Sequence, residues 1–239
     1  MSVFQDYLKE GTAALGLTLS ITQSNNFELY KDLLLEWNKK FNLTAITDEK
    51  EIAIKHFVDS LVLLIYGSFG EGMKLLDVGT GAGFPGLPLK IMLPRLEVCL
   101  LDSLQKRVGF LEEVIRQTGL EKVTALHGRA EDMAHKTGLR ESFPRVTARA
   151  VARLNILLEY SLPFVEPGGL FIALKGPEAQ AEVKESAEAL VTLGGKVKDL
   201  ISMELPLSGG TRSLIIIEKT GRTPVKYPRK AGTPEKKPL

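Results

Sequence analysis

Residues 74–86 read Lys-Leu-Leu-Asp-Val-Gly-Thr-Gly-Ala-Gly-Phe-Pro-Gly. A short apolar run that ends in three alternating glycines is a strand forced into a sharp turn. Gly79, Gly81 and Gly83 keep side chains out of that turn, so a ligand can approach the backbone. A helical stretch follows, and the first N–H groups of a helix have no partners within it. A strand, a glycine turn and a helix in this order read as the opening unit of an α/β sheet that holds a nucleoside-bearing ligand.

The rest of the chain agrees with that reading. Strands are expected at 74–78, 96–101, 122–126, 145–148 and 169–174, with helices at 86–93, 103–118, 130–136, 153–162 and 178–193. Repeated β–α units predict a parallel, doubly wound sheet. Two more strands, at 196–203 and 212–219, have only Pro206 to Gly210 between them. That hairpin predicts one antiparallel strand near the sheet edge. Before residue 70 the pattern is helical. Phe27, Tyr30, Leu34, Trp37 and Phe41 recur every three or four residues, as on one helix face. Asp48 and Glu51 have capping-box spacing before a helix to about Tyr66. The expected organisation is a helical extension over 1–70, an α/β domain over 71–221 and a tail over 222–239.

Composition excludes several classes. Hydrophobic residues at 44% and charged residues at 25% are a globular mixture, so general disorder is excluded. The longest strongly apolar run, Leu61 to Tyr66, is far short of the roughly 20 residues a membrane helix needs. No basic and apolar leader precedes Asp6. The single cysteine, Cys99, forms no intramolecular disulfide, and the three histidines are scattered. A cytoplasmic protein without a metal site is the expectation. The tail holds six basic residues against one acid, Glu235, on a body of slightly negative charge. Arg222, Lys226, Arg229 and Lys230 are therefore candidates for contact with a polyanion such as RNA, on a tail expected to be irregular and flexible.

Two cofactor classes compete for the glycine turn. The dinucleotide fingerprint wants a small residue three places after its second glycine, and Phe84 occupies that position. Asp77, two residues before Gly79, gives instead the spacing Asp-x-Gly-x-Gly-x-Gly. It resembles motif I of the class I S-adenosylmethionine-dependent methyltransferases. A carboxylate would repel a pyrophosphate but tolerate a sulfonium cation. Asp102 closes the second strand, where an acid can accept from ribose hydroxyls in either class; the alternative role is a helix cap. Gly128-Arg-Ala-Glu-Asp132 follows the third strand, where the methyltransferase fold covers the adenine.

Five segments sharpen the resemblance: Trp37 to Thr47, His56-Phe-Val-Asp-Ser-Leu61, Leu76 to Leu87, Gly128-Arg-Ala-Glu131 and Tyr227-Pro-Arg-Lys-Ala-Gly-Thr-Pro234. They resemble the bacterial 16S ribosomal RNA (guanine-N7) methyltransferase G family, also called glucose-inhibited division protein B, over nearly the whole chain. The resemblance implies a Rossmann-like, mostly parallel seven-stranded sheet with an N-terminal helical extension. It implies methyl transfer from S-adenosylmethionine to N7 of one guanine in the 530 loop of 16S ribosomal RNA. It implies cofactor contacts at Gly79, Phe84, Ala130, Glu131 and Arg149.

The residues allow a reading beside that name. Thr147 to Arg153 lacks the Asn/Asp-Pro-Pro-aromatic clamp of exocyclic-amine methyltransferases. Cys99, mid-strand between Val98 and Leu100, reads as a buried thiol and not as the nucleophile of a cytosine-C5 enzyme. Guanine N7 needs neither device, because its lone pair is nucleophilic and carries no proton. Arg149, Arg153 and Lys175 follow strand ends and are candidates for holding phosphate or a guanine edge, as is His56 on a face with Asp59 and Ser60. Lys175 as base for ribose 2′-O transfer stays open. Surface ion pairs are the plain alternative for the cations, and a charged helix face is that for Lys106 and Arg107. An NAD(P)-dependent oxidoreductase and a non-catalytic RNA-binding assembly protein remain the rival functions.

Overall fold

A computed structural model describes residues 2–239 of the chain. Helix α1 (Val3–Ala14) starts where the Ser2 side chain accepts from the Gln5 amide. Helix α2 (Ile21–Phe41) opens with a full capping box between Ser20 and Gln23. Asp48 caps α3 (Glu49–Ile52) through the Glu51 amide, while the Glu51 carboxylate turns to Lys55 instead of closing a box. The helix expected to run on to Tyr66 is interrupted. A π-helical turn spans Ala53–Val58 before α4 (Asp59–Leu61) and α5 (Leu63–Tyr66). Such turns recur at functional sites because they re-aim side chains and release carbonyls.

The α/β region then runs β1 (Lys74–Val78), α6 (Gly86–Met92), β2 (Glu97–Asp102), α7 (Gln105–Thr118), β3 (Val123–His127), α8 (Ala130–Met133) and β4 (Phe143–Arg149). It continues through α9 (Leu154–Ser161), β5 (Val165–Lys175), α10 (Ala179–Glu185), α11 (Ala187–Leu193), β6 (Gly195–Leu205) and β7 (Gly210–Lys219). The helix expected over 178–193 breaks at Ser186, whose buried hydroxyl donates to the Glu182 carbonyl at 2.7 Å. The seven strands form one sheet in the order β3-β2-β1-β4-β5-β7-β6. All neighbours are parallel except the pairs made by β7, the one antiparallel strand, next to the edge.

Alternate residues of each strand feed two apolar layers. Leu75, Leu100, Ile172 and Ile216 face one. Leu76, Leu101, Phe171 and Ile215 face the other. The first layer also contains Phe4, Phe27, Tyr30 and Phe57, so the N-terminal helices share the sheet's core and are not a detached module. Trp37 packs against that layer, its ring 5.7 Å from Phe110, and Phe41 reaches it only through Trp37, at 5.4 Å.

The tail departs from its expectation. It closes on the domain and ends in a short helix, α12 (Thr233–Lys236). Arg229 donates to both oxygens of Glu159, which is fully buried. The Arg140 guanidinium donates to the carbonyls of Thr223 (2.8 Å) and Tyr227 (2.9 Å), and His135 meets the Pro228 carbonyl at 2.9 Å. Basic residues and prolines gave no periodicity from which this docking was readable. The buried carboxylate that demands a cation lies 70 residues away.

Candidate functional site

The parallel core places the ends of β1, β2, β3, β4 and β5 along one rim of the sheet. The sheet order reverses between β1 and β4, and α/β folds open a ligand crevice at such a point. Gly79 lies just past β1, Asp102 ends β2, Gly128 follows β3, Arg149 ends β4 and Lys175 ends β5.

Two cavities meet over Gly79. One, of about 150 Å³, is bordered by Asp102, Ser103, Ala130, Glu131, Tyr160 and Glu235. The other, of about 210 Å³, is bordered by Thr44, His56, Gly81, Phe84, Arg107 and Arg149. A third, of about 370 Å³, opens beyond His56 and Arg149 toward Lys55, Asp59, Lys175 and Arg212. The predicted cofactor residues thus divide between the first two cavities, and the third lies beside them.

The glycines do different work. Gly79 and Gly81 have φ of +65° and +62°. A Cβ on Gly81 would meet nothing nearer than the Gly79 carbonyl at 4.0 Å, so its open side faces the cavity. Gly83, with φ +96°, is a packing residue. A Cβ there would lie 2.5 Å from Leu87 and 2.6 Å from the Tyr30 hydroxyl. That hydroxyl also donates to the Ala82 carbonyl, so α2 supports the loop from beneath.

Most amides of the turn are consumed internally. Thr80 donates to the Leu101 carbonyl, and Gly83 and Phe84 both donate to the Thr80 carbonyl. Gly81 donates to Asp102 Oδ2 at 2.9 Å and Gly86 to Asp77 Oδ2 at 2.9 Å. Asp77 therefore braces the loop from below and borders neither cavity of the cofactor crevice. Its Oδ2 also accepts from Thr80 at 2.6 Å, while Oδ1 is buried without a partner. Burial pushes its pKa up to about 7 against those hydrogen bonds.

Asp102 does not cap α7, whose N-cap position is Leu104 without a side-chain bond, and instead ties two turns together. Oδ1 accepts from the Leu104 amide at 2.9 Å, which shapes the turn into α7, and Oδ2 holds Gly81. Arg107 stands 3.4 Å from Oδ2. A carboxylate has about four acceptor directions, so capacity remains for a ribose hydroxyl. Glu131 faces the same cavity, and its Oε1 accepts from the Gly232 amide of the tail at 3.0 Å.

Around Phe84 the polar groups interlock. Its ring stacks on Tyr30 (centroids 5.2 Å) and on His56 (4.8 Å), and the Arg149 guanidinium sits 4.9 Å from its centre. Arg149 Nη1 donates to Asp59 Oδ2 (3.1 Å) and to the Lys55 and His56 carbonyls at the π-helical turn. Arg212 Nε donates to the other Asp59 oxygen at 3.0 Å. Burial, aided by the Arg149 charge, lowers the His56 pKa to about 3, so this imidazole is neutral at physiological pH.

The remaining candidates are less available. Lys175 borders the third cavity, but its ammonium donates to the Ala152 carbonyl (2.6 Å) and Glu182 (2.7 Å), so no lone pair is offered as a base. Arg153 forms an exposed pair with Glu185, away from the three cavities. Arg229 is turned inward by Glu159, leaving Arg222, Lys226 and Lys230 as the exposed cations among the four tail candidates. Cys99 lies in β2, half-buried rather than buried as expected, at a cavity away from the glycine turn; desolvation still drives its pKa up to about 12, consistent with an inert thiol. Among the described residues no group of three or more His, Cys, Asp or Glu side chains is arranged to hold a metal.

Sequence reasoning missed Thr44, Ala150, Tyr160 and Glu235 as cavity residues. Thr44 had a signal, a polar break between two helices. Ala150 shows itself only through its φ of +54°, unusual for a residue with a side chain.

Comparison with known proteins decides the family. The family model described as GidB, rRNA small subunit methyltransferase G, matches residues 23–213. The chain belongs to that family. Ribosomal RNA small subunit methyltransferase G of Alkaliphilus metalliredigens is 51% identical over 232 residues, covering 97% of each chain. That of Bacillus subtilis is 47% identical over 229 residues, covering 96% of each. In structure, an Aquifex aeolicus SAM-dependent methyltransferase superposes with a TM-score of 0.53 at 21% identity, covering 74% of this chain and 96% of that one. TrmN from Thermus thermophilus gives 0.52 at 22% identity, covering 68% and 48%. These two speak for the class I fold alone. The protein is an S-adenosylmethionine-dependent methyltransferase, and the oxidoreductase alternative falls. The crevice fits that cofactor: the open Gly81 lies beside a polar chamber, and Asp102 and Glu131 border a second chamber where they can accept from hydroxyls.

Proposed function

We propose that the protein methylates N7 of a guanine in the 530 loop of 16S ribosomal RNA, in the cytoplasm. The cofactor supplies a methyl group activated on a sulfonium. Asp102, Ala130 and Glu131 hold its nucleoside end, Gly79 and Gly81 floor the crevice, and Phe84 and Arg149 wall the polar end. The acceptor base enters the cavity between His56, Arg149 and Lys175.

One observation supports N7 as the acceptor atom. His56, Lys175 and Lys55, the side chains at that cavity with a nitrogen able to take a proton, are all held by neighbours, Lys55 by Glu51 at 2.6 Å. N7 has no proton to lose, so the task is to place it in line with the methyl carbon and exclude water. Ribose 2′-O transfer would need a base. Modification mapping of 16S RNA, from cells with and without the protein, tests this. The expected result is 7-methylguanosine in the 530 loop only when the protein is present. A 2′-O-methyl product would overturn the N7 assignment, and unmodified RNA in both strains would overturn the placement of the target in the 530 loop.

Arg222, Lys226 and Lys230 are the proposed phosphate contacts of the tail. Changing all three to Gln should reduce the salt slope of log K for RNA by about 2, at about 0.7 per contact. Cofactor affinity should stay unchanged. Equal slopes for the variant and the native protein would remove these residues from the RNA surface.

A further inference from the structure

The ligand-facing donor of the crevice's polar end is set by a chain of fixed hydrogen bonds that ends at Thr44. Asp59, nearly fully buried, anchors Arg149 through Oδ2. Arg149 can only donate, so its Nη2 contact at 3.4 Å makes His56 Nδ1 an acceptor. The neutral ring must then carry its proton on Nε2. That nitrogen lies 2.8 Å from Thr44 Oγ1 and donates to it. The same oxygen accepts from the Ile46 amide at 3.0 Å. A hydroxyl has two acceptor directions and one proton. Both acceptor directions are filled, so Thr44 is left as a pure donor, and its proton has no acceptor among the described residues. Thr44 borders the cavity formed by Gly79, Gly81, Phe84, Arg107 and Arg149.

We propose that Thr44 is a cofactor-binding residue whose hydroxyl donates to the carboxylate of the methionine moiety. This rests on the cofactor placement given above. Three features favour the carboxylate over the ammonium of the same moiety. Thr44 cannot accept, so it has nothing to offer an N–H donor. Arg107 and Arg149 border the same cavity and make it favourable to an anion. The amides of Thr80, Gly81, Gly83 and Phe84 are spent within the fold, so the loop leaves few donors for an anion and the opposite wall supplies the others. The Asp59–Arg149–His56 chain consists of positioning residues that fix which way the hydroxyl points.

The test is calorimetry with two ligands. S-adenosylhomocysteine carries the carboxylate, and 5′-methylthioadenosine lacks the whole amino acid part. Thr44→Val should weaken S-adenosylhomocysteine by about 10- to 100-fold, the range for a hydrogen bond to a charged group. It should leave methylthioadenosine within about 2-fold, a difference too small to reflect a lost hydrogen bond. Thr44→Ser keeps the hydroxyl and should bind both ligands nearly as the native protein does. Equal weakening of both ligands by Thr44→Val would show that Thr44 only supports His56, and the proposal would fail. Unchanged binding of S-adenosylhomocysteine would sink it too. If the Val variant does not fold, the native protein decides: equal affinity for S-adenosylhomocysteine and its decarboxylated analogue overturns the carboxylate contact. A native protein that binds neither S-adenosylhomocysteine nor methylthioadenosine overturns the placement of the cofactor itself.

Discussion

Replacing Arg229 by Met should destabilise the protein by about 3 kcal/mol, the scale for stripping a buried charge of its partner. Glu159 is fully buried, and Arg229 reaches it with Nε (2.9 Å), Nη2 (2.6 Å) and its own amide (2.7 Å). Without the guanidinium a carboxylate stays in the apolar layer with one amide for company. Pairing the change with Glu159→Gln should restore much of the loss, because no ionised group is then left buried. Denaturant unfolding of the two single variants and the double variant measures this coupling. Cofactor affinity should fall in the same Arg229 variant. The segment that Arg229 anchors presents Gly232 to Glu131 and sets Glu235 at the edge of the cavity proposed for the nucleoside. A free, RNA-seeking arginine predicts the opposite pattern, with stability unchanged and only RNA affinity reduced at low salt.

That reversal shows where sequence reasoning ends. The sheet was legible because its signals are local. Apolar runs such as Leu96 to Leu101 alternate with helical periods, and a glycine turn marks the strand from which the crevice opens. The Pro206 to Gly210 hairpin even showed where the antiparallel strand belongs, because no crossover helix separates its flanks. Site residues at strand ends were legible for the same reason: Asp102 and Arg149 close strands, and strand ends gather at one rim. Partnerships across the chain were not legible. Lys175 and Arg229 look like free cations until Glu182 and Glu159 arrive, and the Glu159 partner is 70 residues distant. Gly83 looks like a ligand glycine until Tyr30, from a helix 52 residues earlier in the chain than the Ala82 it contacts, is seen beneath the loop. Thr44 gains its meaning only from a hydrogen-bond polarity that runs through three other residues.

The glycine loop supplies the sharpest contrast. Gly81→Ala and Gly83→Ala are the same chemical change two residues apart, and opposite results are expected. At Gly83 the new methyl would stand 2.5 Å from Leu87, 2.6 Å from the Tyr30 hydroxyl and 3.0 Å from Leu111. Overpacking of this kind costs about 1–3 kcal/mol. A left-handed backbone adds about 1–2 kcal/mol for a residue with a Cβ. Gly83→Ala should therefore lose roughly 2–5 kcal/mol of stability and drag cofactor binding down with the fold. At Gly81 only the backbone strain applies, because the methyl has free space around it. That variant should fold with a loss of about 1–2 kcal/mol. Its methyl, however, occupies the crevice floor, and a steric conflict of about 1–3 kcal/mol there means roughly 5- to 150-fold weaker cofactor. Thermal unfolding and calorimetry with S-adenosylhomocysteine on the two variants read the two effects separately. Normal cofactor affinity in a folded Gly81→Ala protein would mean that the cofactor does not lie against this loop. A stable Gly83→Ala protein would mean that the Tyr30 and Leu87 packing gives way more easily than a close-packed interior should.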